Sequence, residues 1–310
     1  MTIYTNRTLV ALKKETTYGT DADPAGSNCF VVKSTELTPM AGNSASRDII
    51  RAFFGASEQI QIDAYAQVTF EVELQSSGAA GTAPAFSEAL LCAGFAETVT
   101  ASTSVAYSPV STGFDSCTIA YNKDGVLQKL TGARGTFSLN LARGALPSIS
   151  FTFWGIYNAP TDTALLTPDY SGFKKPIGAN SVNTPTVSLL SQAVTMESLS
   201  IDLANNLVHR DLPGGSSSIH LTQRAASGSM VFEATSVATK NWVNLVRTNA
   251  SSGALQVIHG IDAGYICQID APNVSLGAPT YSSSDGIEML NAPLTFNPLS
   301  GNDELVLTFK

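Results

Sequence analysis

The second half of this chain repeats a pattern found in the first half. Residues 47–74 (RDIIRAFFGASEQIQIDAYAQVTFEVEL) and residues 210–235 (RDLPGGSSSIHLTQRAASGSMVFEAT) both open with Arg-Asp and both reach Phe-Glu in a strand-like run. The Phe lies 23 residues after the Arg in the first stretch and 22 residues after it in the second. Such self-similarity constrains the fold strongly, because each copy is expected to form the same structural unit.

The two halves also end alike. SISFTF at 148–153 resembles ELVLTF at 304–309, and the two alignments extend without a gap back to residues 137 and 293. The alternative explanation is that two β-rich segments with many Ser and Thr residues resemble each other through composition alone. Three matches in the same order favour a duplicated β-domain, which can pack against its own copy and then against further chains.

The composition is that of a folded chain with a large core and little surface charge. A length of 310 residues fits two domains better than one. Hydrophobic residues make up 44% of the chain, enough for a core, whereas charged residues make up only 14%. Sparse charge is typical of chains with large assembly interfaces, whose buried centres are depleted in charged residues.

Charge and cysteine spacing exclude several classes of protein. The net charge of −8 and the lack of a basic run argue against a protein that grips nucleic acid phosphates. The four cysteines lack C-x-x-C spacing, so we expect buried thiols in a reducing cytoplasm rather than disulfides or zinc ligands. The opening MTIYTNRTLV does not resemble a signal peptide, and no apolar run is long enough to span a membrane.

Alternation of apolar and polar residues predicts a mainly β protein. The predicted strands are 68–74, 117–121, 126–130, 136–141, 148–154, 196–203, 229–235, 265–269 and 305–309. Helices are predicted at Ser87–Phe95 and Lys240–Asn249, where apolar residues recur at helical spacing. Each predicted helix follows the Phe-Glu strand of its own half, which is a further correspondence between the halves.

The predicted fold class is therefore mainly β, with two tandem β-barrel or β-sandwich domains and one flanking α-helix in each. The first domain, with an N-terminal arm, is expected at residues 1–160, and the second at residues 186–310. A Pro-rich stretch at 161–185 is interpreted as a linker or extended arm. The stretch before Pro39 lacks a strong pattern, and such arms commonly add a strand to a neighbour.

Candidates for catalytic or metal sites are weak. His259 lies near Asp262 and resembles a base with its orienting carboxylate, although a polar loop pair explains it better. Residues 21–26 (DADPAG) resemble the start of a calcium loop, but the carboxylate series stops after two members, as in an ordinary turn.

Two further candidates involve backbone and aromatic groups. Residues 132–135 (GARG) could offer backbone N–H groups to a phosphate, but they are interpreted as a turn that enters a strand. Trp154 and Tyr157 could stack against a sugar, but at a strand end they are more often core or interface residues. We therefore expect a protein without catalytic residues, cofactor or metal.

Two segments resemble phage tail tube (major tail) proteins. One is residues 11–24, ALKKETTYGTDADP, and the other is residues 117–157, CTIAYNKDGVLQKLTGARGTFSLNLARGALPSISFTFWGIY. The second segment combines a strand, an N-x-D-G turn, a K-L-x-G-A-R-G run and a closing S-F-T-F-x-G-x-Y strand. The second half shares the resemblance through the internal repeat, but residues 291–310 lack the K-L-x-G-A-R-G run.

The resemblance implies a structural virion protein rather than an enzyme. Its members form β-domains that assemble into rings, and the rings stack into a hollow tube through which DNA leaves the capsid. Single-domain members form six-membered rings, so a two-domain chain would complete the circle as a pseudo-sixfold trimer. The resemblance also implies a place in the virion tail after assembly in the host cytoplasm, with a tape measure protein and tail terminator or tip proteins as partners. We favour a long flexible tail, as in siphophages, over a contractile one.

The bore of such a tube must let double-stranded DNA pass during genome ejection without binding it. Each Lys or Arg on a phosphate adds affinity through counterion release, so carboxylates and hydroxyls suit the lining. Our candidates for lumen-facing acidic residues are Glu71 and Glu73, with Glu233 at the matching position of the second half. The alternative is that these glutamates face the outer solvent.

Two other functions compete with the tube. A β-sandwich receptor-binding or adhesin-like tail module would form a discrete oligomer rather than a polymer. A hydrolase on a β-scaffold would need a pair of acidic residues in a cleft, and no such pair stands out.

Overall fold

A computed structural model describes residues 2–310 and consists mainly of β-strands. The strands of the first half are β1 (Thr8–Lys14), β2 (Ser34–Ala41), β3 (Ser44–Ser46), β4 (Gln59–Gln61), β5 (Tyr65–Glu73), β6 (Phe95–Thr100), β7 (Ser104–Pro109), β8 (Cys117–Lys123), β9 (Val126–Ala142), β10 (Ser148–Tyr157) and β11 (Thr161–Asp162). The strands of the second half are β12 (Thr186–Leu189), β13 (Gln192–Ala193), β14 (Met196–Asp202), β15 (Asn205–Arg210), β16 (Ser218–Arg224), β17 (Ser227–Glu233), β18 (Ser252–His259), β19 (Cys267–Leu276), β20 (Thr280–Ser284), β21 (Ile287–Phe296) and β22 (Val306–Phe309). The predicted fold class is confirmed.

Each half carries one short α-helix, as predicted. These are α1 (Ser87–Cys92) and α2 (Trp242–Arg247), and each lies inside its predicted window. The side chain of Asn241 caps α2 by accepting a hydrogen bond from the Asn244 N–H at 3.0 Å. The helices are shorter than the windows because a residue with positive φ follows the C-cap of each, Gly94 after α1 and Asn249 after α2. No helix among residues 2–310 is long and apolar enough to cross a membrane.

The alternation in β5 shows how the sequence specifies one buried face. Ala66, Val68, Phe70 and Val72 are fully buried, and the residues between them are half-exposed.

One strand prediction was wrong: 126–130 and 136–141 belong to the single strand β9. The GARG turn between them lies inside β9, because a positive φ at Gly132 bends the strand without ending it.

The two halves share one order of hydrogen-bonded strands. In the first half the order is β2–β5–β10–β9–β8–β1, and all pairs are antiparallel. In the second half the order is β14–β17–β21–β19–β18–β12, again antiparallel throughout. In each half a hairpin lies between the first two strands of this order: β3–β4 lies between β2 and β5, and β15–β16 lies between β14 and β17. The Arg-Asp…Phe-Glu repeat in the sequence covers the loop and the second strand of this hairpin, β4 or β16, and the strand after it.

The β9–β10 hairpin of the first half also has a counterpart in the second half. β10 runs alongside β9 from Ser148↔Asn140 to Tyr157↔Leu130. In the second half, β21 runs first alongside β20, with Ile287↔Ser284, and then alongside the end of β19, with Phe296↔Val274. β19 and β20 together therefore occupy the place that β9 occupies alone.

The resemblance of 148–153 to 304–309 does not reflect equivalent strands. β10 lies beside β5, whereas β22 pairs with β19 and with β7 of the first half. The counterpart of β10 in strand order is β21, which pairs with β17. Local alternation specifies which face of a strand is buried but not which strand lies next to it, so an alignment on that pattern alone selected the wrong strand.

A direct strand pairing joins the halves. The end of β9 pairs with β14 over five residues, from Ser138↔Asp202 to Ala142↔Ser198. The C-terminal strand β22 adds a second connection through β7. As a result one hydrophobic core runs through both halves, from Phe70 in β5 to Phe232 in β17.

The segment 161–185 follows the surface of the first half. β11 pairs with β9, and the Asp169 N–H donates to the Gly26 carbonyl at 2.9 Å. The Phe173 ring packs edge-on against Phe30, with 5.7 Å between centroids. These contacts make the segment an extended strap, while its role as a domain boundary stays a prediction.

Candidate lumen face and assembly surfaces

One face of the sheet is polar across both halves. A row of directly paired residues crosses seven strands, from β2 to β21, in the order Ser34, Glu71, Ser150, Ser138, Asp202, Ser227 and Thr295. A second row crosses six of these strands in the order Glu73, Ser148, Asn140, Ser200, Ser229 and Pro293. Neither row contains Lys or Arg. The polar face passes without interruption from one half to the other between Ser138 and Asp202.

Neighbouring hydroxyl groups on this polar face hydrogen-bond to one another. The Thr69 and Thr152 hydroxyl oxygens are 3.2 Å apart, and those of Ser200 and Ser229 are 3.0 Å apart. Cross-strand Thr and Ser pairs stabilise a sheet while they keep its surface uncharged. The opposite side of the same strands carries the core, and the residues of the two rows are exposed or half-exposed.

The structure places Glu71, Glu73 and Glu233 on the polar face, near the ends of β5 and β17. Glu71 is half-buried, and its Oε1 lies 2.9 Å from the Lys33 ammonium nitrogen. Hydrogen bonds from Ser148 and Lys33 hold the pKa of Glu71 below its ordinary value. Glu73 is half-exposed and Glu233 is exposed. Glu71 therefore neutralises the charge of Lys33, a basic residue next to this face.

Both ends of this sheet have open edges. Within residues 2–310, β2 pairs with β5 alone, and β20 pairs with β21 alone. Met40 near the end of β2 and Tyr281 in β20 are both exposed. Open edges with exposed apolar side chains are typical of surfaces that pair with another chain.

The two corresponding hairpins differ in their surroundings. The β15–β16 hairpin packs on the first half: the Ile219 N–H donates to the Tyr18 hydroxyl at 2.6 Å, and Arg134 donates to the Ile219 carbonyl at 2.9 Å. The β3–β4 hairpin, residues 43–62, instead projects with its apolar side chains in solvent. Ile50 is 103% exposed and Phe54 is 107% exposed. Sequence reasoning missed this surface, although the run IIRAFF between two short strands was its signal.

The two segments that resemble tail tube proteins meet in the fold. The carboxylate of Glu15 is buried and accepts hydrogen bonds from the Gly132 N–H and the Thr118 hydroxyl at 2.7 and 2.9 Å. The Arg134 guanidinium lies over the Tyr18 ring, 4.8 Å from its centroid. A Cβ atom at residue 132 would lie 2.9 Å from Tyr18, so glycine is required there.

The acidic residues of the DADPAG stretch and the His259 candidate have structural partners. Lys129 reaches Asp21 and Asp23 at 2.6 and 3.2 Å, so a lysine occupies the place that a cation would take. His259 is buried between the Thr184 hydroxyl and the Ile177 carbonyl, at 2.9 and 3.0 Å, and burial lowers its pKa. These hydrogen bonds engage both ring nitrogens of His259, and neither partner is Asp262.

The remaining sequence candidates pack within the fold. Trp154 packs against Tyr65 with 4.8 Å between ring centroids and an angle of 32° between the rings, and Tyr157 pairs with Leu130 at the end of β10. The four cysteines are free thiols in buried positions. Across residues 2–310, no three His, Cys, Asp or Glu side chains are grouped in a way that could hold a metal ion.

Comparison with known proteins adds the family. Residues 5–298 match the family of phage tail tube proteins, so the match includes both halves and the strap between them. A search of curated proteins found no match. Because the family match covers nearly the whole chain, this chain belongs to the phage tail tube proteins, structural components of the virion tail that assemble into a tube.

Proposed function

We propose that this chain polymerises into rings that stack into a hollow tube, and that the tube conveys the phage genome into the host. The observation that carries the proposal is the polar face, which extends across both halves of the sheet and ends in an open edge on each side. Side-by-side joining of copies at these edges would continue the sheet around an axis. The contact is heterologous, so it forms a ring when the rotation closes, and the rings extend by stacking.

Each chain would contribute two tube domains, at residues 1–160 and 186–310, connected by the strap at 161–185. Support comes from the common strand order of the two halves and from the equivalent positions of Phe70 and Phe232. Six domains around the axis then require three chains, which gives a pseudo-sixfold trimer.

The polar face would line the bore. Its rows of hydroxyls and carboxylates offer a passing duplex no Lys or Arg with which to displace counterions. Glu73 and Glu233 would add a negative potential that repels the phosphates of the duplex, while Glu71 would balance the charge of Lys33. The Glu71–Lys33 ion pair supports a lining role for this face, because it neutralises a positive charge beside it.

The remaining assignments follow from the family. We expect no catalytic activity, and we expect a tape measure protein and tail terminator or tip proteins as partners in a long flexible tail. Assembly of the virion tail would take place in the host cytoplasm.

Electron microscopy and mass measurement of the purified protein test the proposal. We expect hollow tubes whose rings contain three chains. Tubes with six chains per ring would contradict the trimer but not the tube. A discrete oligomer at every concentration would contradict the tube itself and favour the receptor-binding or adhesin-like alternative.

A further inference from the structure

We infer that strand β20 of one copy pairs antiparallel with strand β2 of the next copy, and that this contact repeats the β9–β14 junction found inside each chain. The inference deepens the proposed ring and rests on it, because it names the two edges that join. Inside the chain, β14 pairs with the end of β9. In the strand order of the halves, β2 is the counterpart of β14, and β20 is the counterpart of the end of β9.

The register of the strands fixes this equivalence at single residues. In the first half, Phe70 pairs with Phe151, which pairs with Phe137 in β9. In the second half, Phe232 pairs with Leu290, which pairs with Tyr281 in β20. Since Phe70 and Phe232 are the matched residues of the sequence repeat, Tyr281 stands where Phe137 stands.

The residues at the open edges are more exposed than their equivalents at the internal junction, as expected if a neighbouring strand is missing from the single chain. Phe137, beside the junction inside the chain, is 1% exposed, whereas Tyr281 at the open edge is 61% exposed. On the other strand of each junction, Leu199 is fully buried, whereas its counterpart Leu37 is only half-buried. A second copy that joins at this edge would cover Tyr281 and Leu37 as the chain covers Phe137 and Leu199.

The two hairpins independently indicate that a second copy joins at β2. The β15–β16 hairpin extends from β14 and lies on the half that β14 joins, where Ile219 is fully buried. The β3–β4 hairpin extends from β2 in the same way, but its own chain offers no such partner within the described residues. A second copy joined at β2 would supply that partner, which explains why apolar side chains such as Ile60 and Ile62 lie in solvent in the single chain.

The internal junction also predicts the register of the contact between copies. Inside the chain, Asn140 pairs with Ser200. Ser284 follows Tyr281 by three residues, as Asn140 follows Phe137. Leu37 pairs with Val68, and Leu199 pairs with Met230; Val68 and Met230 each precede the matched Phe by two residues, so Leu37 and Leu199 are equivalent. Thr38 follows Leu37 as Ser200 follows Leu199. Ser284 of one copy should therefore lie opposite Thr38 of the next.

This contact would leave no open edge in the ring. Each chain would contribute eight strands to one continuous sheet, in the order β2, β5, β10, β9, β14, β17, β21 and β20. Closing a sheet on itself removes the edges that otherwise template aggregation. The polar rows would continue from each chain into the next.

Disulfide cross-linking of assembled tubes tests the inference. The variant Thr38→Cys/Ser284→Cys should form disulfides between copies, because opposed residues of paired strands lie within the Cα separation that a disulfide needs. Oxidised tubes, dissolved in detergent without reductant, should then show covalent dimers and trimers. We expect about tenfold more cross-linking than in Thr38→Cys/Ser229→Cys, whose second cysteine lies on the interior strand β17 beyond disulfide reach.

Two features of the chain sharpen this experiment. The pair Asn140→Cys/Ser200→Cys is the positive control, since the equivalent disulfide would form within one chain and shift its mobility without dimers. The four natural cysteines are buried, which keeps background cross-linking low. Tubes whose Thr38→Cys/Ser284→Cys cross-linking equals that of the mismatched control would overturn the inference and leave the proposed function standing. Failure of the unmodified protein to form tubes would instead refute the proposed function.

Discussion

The backbone N–H of Gly132 donates a hydrogen bond to the buried carboxylate of Glu15, with 2.7 Å between nitrogen and oxygen. Glu15 belongs to the N-terminal segment that resembles tail tube proteins, and Gly132 belongs to the K-L-x-G-A-R-G segment. The same carboxylate accepts hydrogen bonds from the Ser116 and Thr118 hydroxyls and from the Gly19 N–H. One side chain therefore holds the N-terminal segment against β8 and β9.

Removing this carboxylate should destabilise the chain. Glu15→Ala is expected to lower the free energy of unfolding by about 3 kcal/mol, because buried donors left without an acceptor cost ~1–3 kcal/mol each. Urea denaturation below the concentration at which tubes form, followed through the tryptophan fluorescence, measures the loss. Glu36→Ala, at an exposed position of β2, is the matched control and should change stability by at most about 0.5 kcal/mol. Equal effects of the two substitutions would show that the Glu15 hydrogen bonds contribute little.

The ion pair on the polar face should be sensitive to pH. The pKa of Glu71 in the folded chain lies below its ordinary value of 4.5, because Ser148 and Lys33 donate hydrogen bonds to the charged form. The ionised carboxylate therefore stabilises the fold above pH 4.5, and this contribution is lost as the pH falls through the folded-state pKa.

A pH series of urea midpoints tests this linkage. The unmodified protein should be more stable than Glu71→Gln at neutral pH, and the difference should shrink towards zero in acid. Glu36→Gln, which alters an exposed side chain of β2, is the matched control and should not lower stability at neutral pH as Glu71→Gln does. A stability difference between the unmodified protein and Glu71→Gln that stayed constant with pH would be inconsistent with a lowered pKa.

Reversal of charge on the polar face should slow DNA passage. Glu71→Arg and Glu233→Arg each place a guanidinium where the bore is proposed, and Glu71→Arg also leaves Lys33 without its partner. Each new phosphate contact adds affinity through counterion release, so ejection of the genome should slow and the effect should weaken as salt rises. Tube assembly should persist, because these side chains do not support the core.

An equal change of charge elsewhere controls for net charge. Asp262→Arg alters an exposed loop residue outside the polar face and should leave the ejection rate unchanged. Ejection kinetics of phage particles carrying each variant, followed by release of DNA, are the measurement. Unaltered ejection with Glu71→Arg and Glu233→Arg would place these residues outside the bore.

Local sequence patterns predicted where strands and helices form better than they predicted which strands pair with one another. The alternation at 68–74 predicted β5, and the apolar spacing at 240–249 predicted α2, because burial of one face imposes each period directly. β21 was missed, since Asn291 and Pro293 on its polar side do not have the composition of a typical strand. The place of β22 was also not predictable, because pairing with β7 depends on contacts distant in sequence.

The candidate site was predictable in part: the acidic residues of the polar face follow from the sequence, but the open edges do not. The glutamates on the polar strands follow from the alternation, and the structure places all three on one face. The open edges do not follow from it, because Tyr281 and Met40 are recognised as exposed only when the neighbouring strands are known. The Arg134–Tyr18 contact likewise joins two segments that the sequence separates by more than a hundred residues.

The apolar tip of the β3–β4 hairpin should contribute to assembly without contributing to the stability of the single chain. Ile50→Ser and Phe54→Ser alter side chains that contact solvent alone, so the free energy of unfolding should change by at most about 0.5 kcal/mol. Burial of such a side chain against a second copy is worth about 2 kcal/mol, which corresponds to a rise of more than about tenfold in the concentration needed for tubes. Val237→Ser, at another exposed apolar position, is the matched control and should leave that concentration unchanged. Sedimentation of tubes over a dilution series measures it, and equal values for all three variants would mean that the hairpin tip stays in solvent in the assembled tube.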